Sequence, residues 1–248
     1  MKLAARCFAV TGLGYLPPWT VNAGFIVGNE TTLIVDTGAN GLAAATIHGY
    51  ASAVRPSNRI LVINTEKHFD HIGGNSWFID RGHEVLGHAA IQRTEEEFRA
   101  ETSEFNAAIS NSTRRARGEE RVFFHGARLA NPTRPILVDT TLSLGGCDVQ
   151  VLLTPGHTPA NMSVWLEEDR VLYTGDCLIS RYLPNLDAGS TADWQTWLES
   201  LDRIERLRPQ TVMAGHGGVV TGNDVPRMIA TVRAILKQSI AGGQSPTH

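Results

Sequence analysis

Residues 64–75 read Asn-Thr-Glu-Lys-His-Phe-Asp-His-Ile-Gly-Gly-Asn and follow directly on the apolar run Ile60-Leu61-Val62-Ile63. Such a run reads as a buried strand. Glu66, His68, Asp70 and His71, four side chains able to bind a metal, fall within six residues shortly past its end. In extended chain, residues i and i+2 point to the same side. Glu66, His68 and Asp70 can therefore converge, and His71 joins them if the chain turns helical there. The bland alternative is a polar loop whose charges are solvated. Ligand type and spacing favour a metal site at a strand end, and a fold must hold such a cluster at an edge rather than in a core.

The rest of the chain supplies strands and helices for that edge. Residues 5–12 and 23–29 run like strands, and Phe25 to Asp36 reads as a hairpin turning at Gly28, Asn29 and Glu30. An alanine-rich helix is expected over 41–54, stopped by Pro56, then a strand over 60–64, a short helix from Ser76 to Arg81 and a strand at Glu84 to Leu86. This alternation argues for a sheet covered by helices. The second half is expected to begin with strands at 136–138 and 141–144. Strands at 149–153, 163–166 and 171–173 follow. A helix opening at Ser190 has capping-box spacing to Asp193 and buries Trp194, Trp197, Leu198, Leu201, Ile204 and Leu207. A strand over 211–214 and an amphipathic helix over about 225–240 complete it. The economical arrangement is one domain over 1–248, two similar sheets face to face with helices outside. Residues 88–135 form a helical insertion. Its charged segment, with Phe98, Phe105 and Ile109 as a narrow apolar stripe, reads as a solvated helix or as a lid; an irregular connection containing His125 follows.

Three further strand ends carry polar residues beside glycine: His157 in Thr-Pro-Gly-His-Thr-Pro, Asp176 in Tyr-Thr-Gly-Asp, and His216 in Ala-Gly-His-Gly. In the order cluster, His, Asp, His, these segments resemble the metallo-β-lactamase superfamily, whose pattern is HxHxDH followed by a His, a bridging Asp and a last His. The resemblance covers roughly residues 21–220. It implies a four-layer αβ/βα sandwich, an α/β fold in which two mixed sheets pack face to face. It also implies two zinc ions at one edge, the first held by Glu66, His68 and His157, the second by Asp70, His71 and His216, with Asp176 bridging. By the same pattern Asp36 supports the site from a strand end, or else is a turn residue bonding local backbone.

One position departs from the family: Glu66 stands where its first histidine would be. A Glu oxygen binds zinc at nearly the same distance as a His nitrogen. The added carboxylate weakens Lewis acidity and shifts preference toward Mn2+ or Fe2+. Two outcomes stay open: Glu66 as a ligand, or Glu66 turned away with one metal bound.

The implied reaction is hydrolysis of an acyl bond (ester, thioester, lactone or β-lactam) in a small-molecule substrate by a metal-bound hydroxide, with Asp70 orienting it and passing a proton. No GxSxG elbow or phosphate-cradling loop offers another nucleophile. An iron-dependent oxidoreductase of the same fold, or a catalytically silent metal protein, are the alternatives. The resemblance to glyoxalase II-like enzymes stops before a glutathione-binding helical extension, for only about 30 residues follow His216. Trp19, Phe69 and Tyr182 are candidates to line the pocket, each with plain packing as the alternative. The net charge of −3 gives a nucleic-acid partner no support, and no apolar run reaches the roughly 18 residues of a membrane helix. Lacking a signal-peptide pattern, the protein is expected in the cytoplasm. Cys7, Cys147 and Cys177 are too widely spaced for a zinc knuckle and read as small buried residues.

Overall fold

The computed structural model describes residues 1–13, 20–108, 127–187 and 189–243. Strands β1 (Cys7–Leu13), β2 (Val21–Val27), β3 (Thr31–Val35), β4 (Arg59–Ile63), β5 (Glu84–His88) and β6 (Arg134–Ile136) form one sheet in sequence order. Its first three strands pair antiparallel and β3 to β6 pair parallel. The second sheet has the order β12 (Val220–Thr221), β11 (Thr211–Ala214), β10 (Val171–Gly175), β9 (Met162–Leu166), β8 (Asp148–Leu153), β7 (Thr140–Ser143). Helices α1 (Gly41–Val54), α2 (Phe69–Ile72), α3 (Asn75–Ile79), α4 (Glu95–Ala108), α5 (Thr191–Leu207) and α6 (Asp224–Gly242) complete the described elements.

Period-2 alternation explains the layering. On β4, Leu61 and Ile63 face the core between the sheets, where they meet Val149, Val151, Met162, Val164 and Met213. Ile60 and Val62 face outward, onto Ala44, Ile47 and Ala51 of α1 and Phe78 of α3. A strand covered on both faces reads as an unbroken apolar run, which is why residues 60–63 show no alternation in sequence. The second sheet is covered in the same way by Trp194, Trp197, Leu201 and Ile204 of α5 and by Val225, Ile229, Val232 and Leu236 of α6. Two of the expected helices, α1 and α5, start at side-chain caps. Asn40 Oδ1 accepts from the Ala43 amide at 2.9 Å, and Ser190 and Asp193 form a reciprocal capping box.

Between the sheets Tyr173 is fully buried; its hydroxyl accepts from the Phe8 amide at 3.1 Å and lies 3.1 Å from Phe8 O. Gly24 makes room for it, since a Cβ there would stand 2.4 Å from the ring. All three cysteines are buried and free, as expected. Burial pushes the Cys177 thiol up to about 12, so it is inert at neutral pH.

Three elements differ from expectation. The strand expected at 136–138 is Arg134–Ile136, and it forms the edge of the first sheet rather than opening the second; Leu137 and Val138 are exposed in the crossing. The two-residue β12 pairs with β11 and gave no sequence signal. The insertion is helical over Glu95–Ala108, and Ile109, His125 and the arginines at 114, 115 and 117 lie outside the described residues.

On the outer face of the first sheet, His48 of α1 and His83 before β5 have rings 5.5 Å apart, against Trp77, Phe78 and Arg81. Burial, then the charge of Arg81, holds His48 below its ordinary value; burial, then His48 and Arg81, does the same to His83. The unfolded chain therefore takes up protons that the folded one refuses once pH falls through about 6.5. The contribution is complete above that pH and is lost below it. Replacing both residues with Gln should flatten the fall of the urea midpoint between pH 7 and pH 5. An unchanged slope would show that the pair contributes nothing.

Candidate metal centre

Strand direction gathers the site. β3 and β4 run parallel, and β8, β10 and β11 share one direction because β9 is antiparallel to both β8 and β10. Their C-terminal ends therefore open on one edge: Asp36 follows β3, Asn64 to His68 follow β4, His157 follows β8, Asp176 follows β10 and His216 follows β11. The two sheets are joined there by backbone bonds from Met162 N to Thr65 O (2.7 Å) and from Asn22 N to Gly215 O (2.7 Å).

Past β4 the chain is fixed by a buried amide network. Asn64 Nδ2 donates to His71 O and to Asn75 Oδ1, both at 3.0 Å, and Asn75 Nδ2 returns a bond to Asn64 Oδ1 at 2.8 Å. The turn of α2 then places Asp70 and His71 with His216, in a donor group separate from that of Glu66, His68 and His157. Gly73 and Gly74 permit the close packing of that turn, since a Cβ at either would stand 2.3–2.4 Å from the carbonyl oxygen of Ala39 or Thr37.

Backbone carbonyls and one carboxylate set the histidine tautomers. His157 Nδ1 lies 3.2 Å from Asn185 O, and His216 Nδ1 lies 3.1 Å from Thr20 O. A carbonyl can only accept, so each Nδ1 carries the proton and each Nε2 faces the site. His71 Nδ1 lies 3.0 Å from Asp36 Oδ2, with the same consequence. Asp36 also accepts from the Thr65 amide at 2.7 Å and from its hydroxyl at 2.6 Å, and holds a left-handed φ of 63°. It supports His71 from behind, as the family pattern implied. His68 is the exception, with Nδ1 facing inward, 3.2 Å from His157 Nε2.

The donor atoms form two groups, Glu66–His68–His157 and Asp70–His71–His216, each within 4.8 Å. Asp176 lies between them: Oδ1 is 3.4 Å from His71 Nε2, and Oδ2 is 3.5 Å from His157 Nε2 and 3.4 Å from His216 Nε2. All seven residues named from the sequence are thus brought together.

Their charges answer one another. Burial pushes Glu66 up, but His68, His71 and His157 overcome it and hold the carboxyl down at about 2. Burial pushes His68 down, but Glu66 with Glu101 and Asp70 raises it to about 9. His71 and His216 are raised well above the ordinary value by the surrounding carboxylates despite their burial, whereas in His157 burial wins. Histidine charge stands where a cation would.

Metal ions fit this donor set. Three of the six buried side-chain polar atoms lacking a hydrogen-bond partner among the described residues are Glu66 Oε2, His71 Nε2 and Asp176 Oδ1. His68 Nδ1 lies 2.7 Å from Glu66 Oε2 but not in line for a ring N–H bond. Buried orphans of this kind are costly unless something else satisfies them. Glu66 does not turn away: it is fully buried, and its Oε1 is tied to the His68 amide at 2.8 Å.

The aromatic candidates fare differently. Phe69 is buried with Ile72, Ile91 and Phe98, so packing is its role. Tyr182 lines a hollow of about 400 Å³ between the 179–184 loop and α6. Trp19 lies outside the described residues. The carbonyls of Thr20 and Asn185 were invisible in sequence, because a backbone acceptor carries no residue-type signal. Among the described residues no helix is long and apolar enough to cross a membrane.

Residues 16–216 match the model of the metallo-beta-lactamase superfamily. A beta-lactamase-like protein 2 homolog of Caenorhabditis elegans is 32% identical over 81 residues, 32% of this chain and 25% of that protein. A hydroxyacylglutathione hydrolase of Rhodospirillum rubrum is 29% identical over 156 residues, 62% of this chain and 47% of that protein. The chain therefore spans a quarter to about half of these curated relatives. In fold it is similar to a metallo-beta-lactamase family protein from Thermus thermophilus, with TM-score 0.70 and 24% identity over 95% of this chain and 81% of that one.

Proposed function

Because the chain belongs to the metallo-β-lactamase superfamily, we propose that it is a metal-dependent hydrolase that cleaves an acyl bond in a small molecule. The observation that carries this reading is the convergence on one strand edge of three buried polar atoms, Glu66 Oε2, His71 Nε2 and Asp176 Oδ1, that have charged neighbours but no aligned hydrogen bond. In this reading Glu66, His68 and His157 hold one divalent ion and Asp70, His71 and His216 a second, with Asp176 between them. Bound there, such ions supply Lewis acidity and an acidified water at neutral pH. The protein's own part is positional. Asp36 and the carbonyls of Asn185 and Thr20 hold a proton on each Nδ1 and aim each Nε2 inward, so that Nε2 is the nitrogen that gives up its proton to a metal. Asp70, held below its ordinary value by His71 and His216 against burial, is ionised and able to accept and return a proton at a carboxylate oxygen.

The substrate class is an ester, thioester, lactone or β-lactam, and the similarity to a hydroxyacylglutathione hydrolase makes hydroxyacylglutathione one member of the panel to test. Purified protein loaded with zinc or manganese should turn over at least one such compound. A chelator should abolish that turnover and added metal restore it. Full metal content with no turnover of any, or iron with oxygen uptake, would overturn the reading.

A further inference from the structure

We infer that Glu66 spans both metal positions as a second carboxylate beside Asp176, instead of serving the first position alone. The inference rests on the two-ion reading above and concerns how the departure at residue 66 reshapes that centre.

The two oxygens of Glu66 face different groups. Oε1 lies 3.6 Å from His71 Nε2, which belongs to the second group. Oε2 lies 2.7 Å from His68 Nδ1 and 3.8 Å from His157 Nε2, both of the first group. Asp176 is disposed alike, with Oδ1 3.4 Å from His71 Nε2 and Oδ2 3.5 Å from His157 Nε2. Each carboxylate thus reaches His71 with one oxygen and His157 with the other.

The separations suit shared coordination better than hydrogen bonding. Donors about 2.1 Å from one ion sit roughly 3.0–3.4 Å apart along the edges of an octahedron or tetrahedron. The four distances linking the carboxylates to His71 and His157 run from 3.4 to 3.8 Å, within a few tenths of those edges and beyond good hydrogen bonds. Glu66 is also held in place. The His68 amide takes one lone pair of Oε1 at 2.8 Å and leaves the other free, while Oε2 has no aligned partner. A histidine at position 66 would present one nitrogen inward and could serve one ion only. A carboxylate presents two equivalent oxygens, and here they diverge.

The consequence is a centre with two shared carboxylates and more oxygen donors in the second position than the family pattern provides. Oxygen donors favour harder ions. Glu66→His should therefore weaken the second position even though it restores the family's histidine at the first.

A crystal structure of the zinc- or manganese-loaded protein tests the geometry. We expect one Glu66 oxygen about 2.0–2.2 Å from each of the two ions. Both oxygens on one ion, or a single oxygen bound, overturns the inference and leaves the two-ion reading standing. A protein that retains no ion overturns that reading as well. Competition with a chromophoric chelator gives a second readout on Glu66→His, which keeps a first-position donor. Release of one ion should become at least about 10-fold easier while the other is held as tightly or more so. Two steps within about 2-fold of the wild type, or two ions both held more tightly, overturn the bridge.

Discussion

Asp70→Ala is expected to lower kcat for acyl hydrolysis by roughly 10²–10⁴-fold, the span associated with losing a positioned proton-transfer group. The carboxylate sits in the single turn of α2, with Oδ2 3.3 Å from His216 Nε2 and a side chain 14% exposed. Its partner is a site histidine and its side chain reaches the surface, so its removal should leave the fold intact. The decisive measurement is kcat at full metal occupancy beside the melting temperature of the chelated protein. Asp70→Asn, which keeps the size and one oxygen donor, separates proton transfer from metal retention: it should retain more metal than the Ala variant yet remain nearly as slow. Activity within about 10-fold of the wild type in the Ala variant would remove Asp70 from the proposed chemistry.

Trp197→Ala should cost about 3–5 kcal/mol of stability, the usual range for emptying a buried aromatic site. The indole is fully buried among Leu201, Trp194 and the residues of α6, and its Nε1 donates to Cys177 O at 2.9 Å. It also underlies the site. Its ring stands edge-on to His157 at 5.6 Å, and Gly156 packs so closely that a Cβ there would come within 2.3 Å of the Trp197 Cβ. The variant should therefore lose metal affinity along with stability. Trp197→Phe keeps most of the volume and gives up the hydrogen bond, so a smaller loss of about 1–2 kcal/mol is expected. Urea denaturation of all three proteins decides the matter. A Trp197→Ala loss under about 1 kcal/mol would mean that the neighbouring side chains collapse into the space.

Local chemistry made much of this molecule legible. Helix α1 announced itself through its alanines and the stop at Pro56, and α5 through the Ser190–Asp193 box, because composition, breakers and caps act locally along the chain. The hairpin of β2 and β3 and the run of β4 were equally plain, since short-range turns and continuous apolar strands need no distant partner to be recognised. The edge strand β6 was read into the wrong sheet because three residues do not say which neighbour they pair with; Leu86 to His88 of β5 decide that. Phe69 shows a related limit. Its position among ligands left a pocket wall open beside plain packing, and the turn of α2 decides for packing by directing it inward onto Ile91 and Phe98.

The sequence alone determined the donor types, their order and the departure at Glu66, because those are properties of residues and of their places at successive strand ends along the chain. Only the tertiary structure decided which donors face one another. His157 and His216 lie 89 and 148 positions from His68 along the chain, and the gap between them depends on how two twisted sheets pack. The same packing brought the carbonyls of Thr20 and Asn185 behind two histidines and turned the two oxygens of Glu66 toward different groups. Side-chain periodicity fixes a direction relative to its own strand, and only the packing of one sheet on the other turns that direction into a distance.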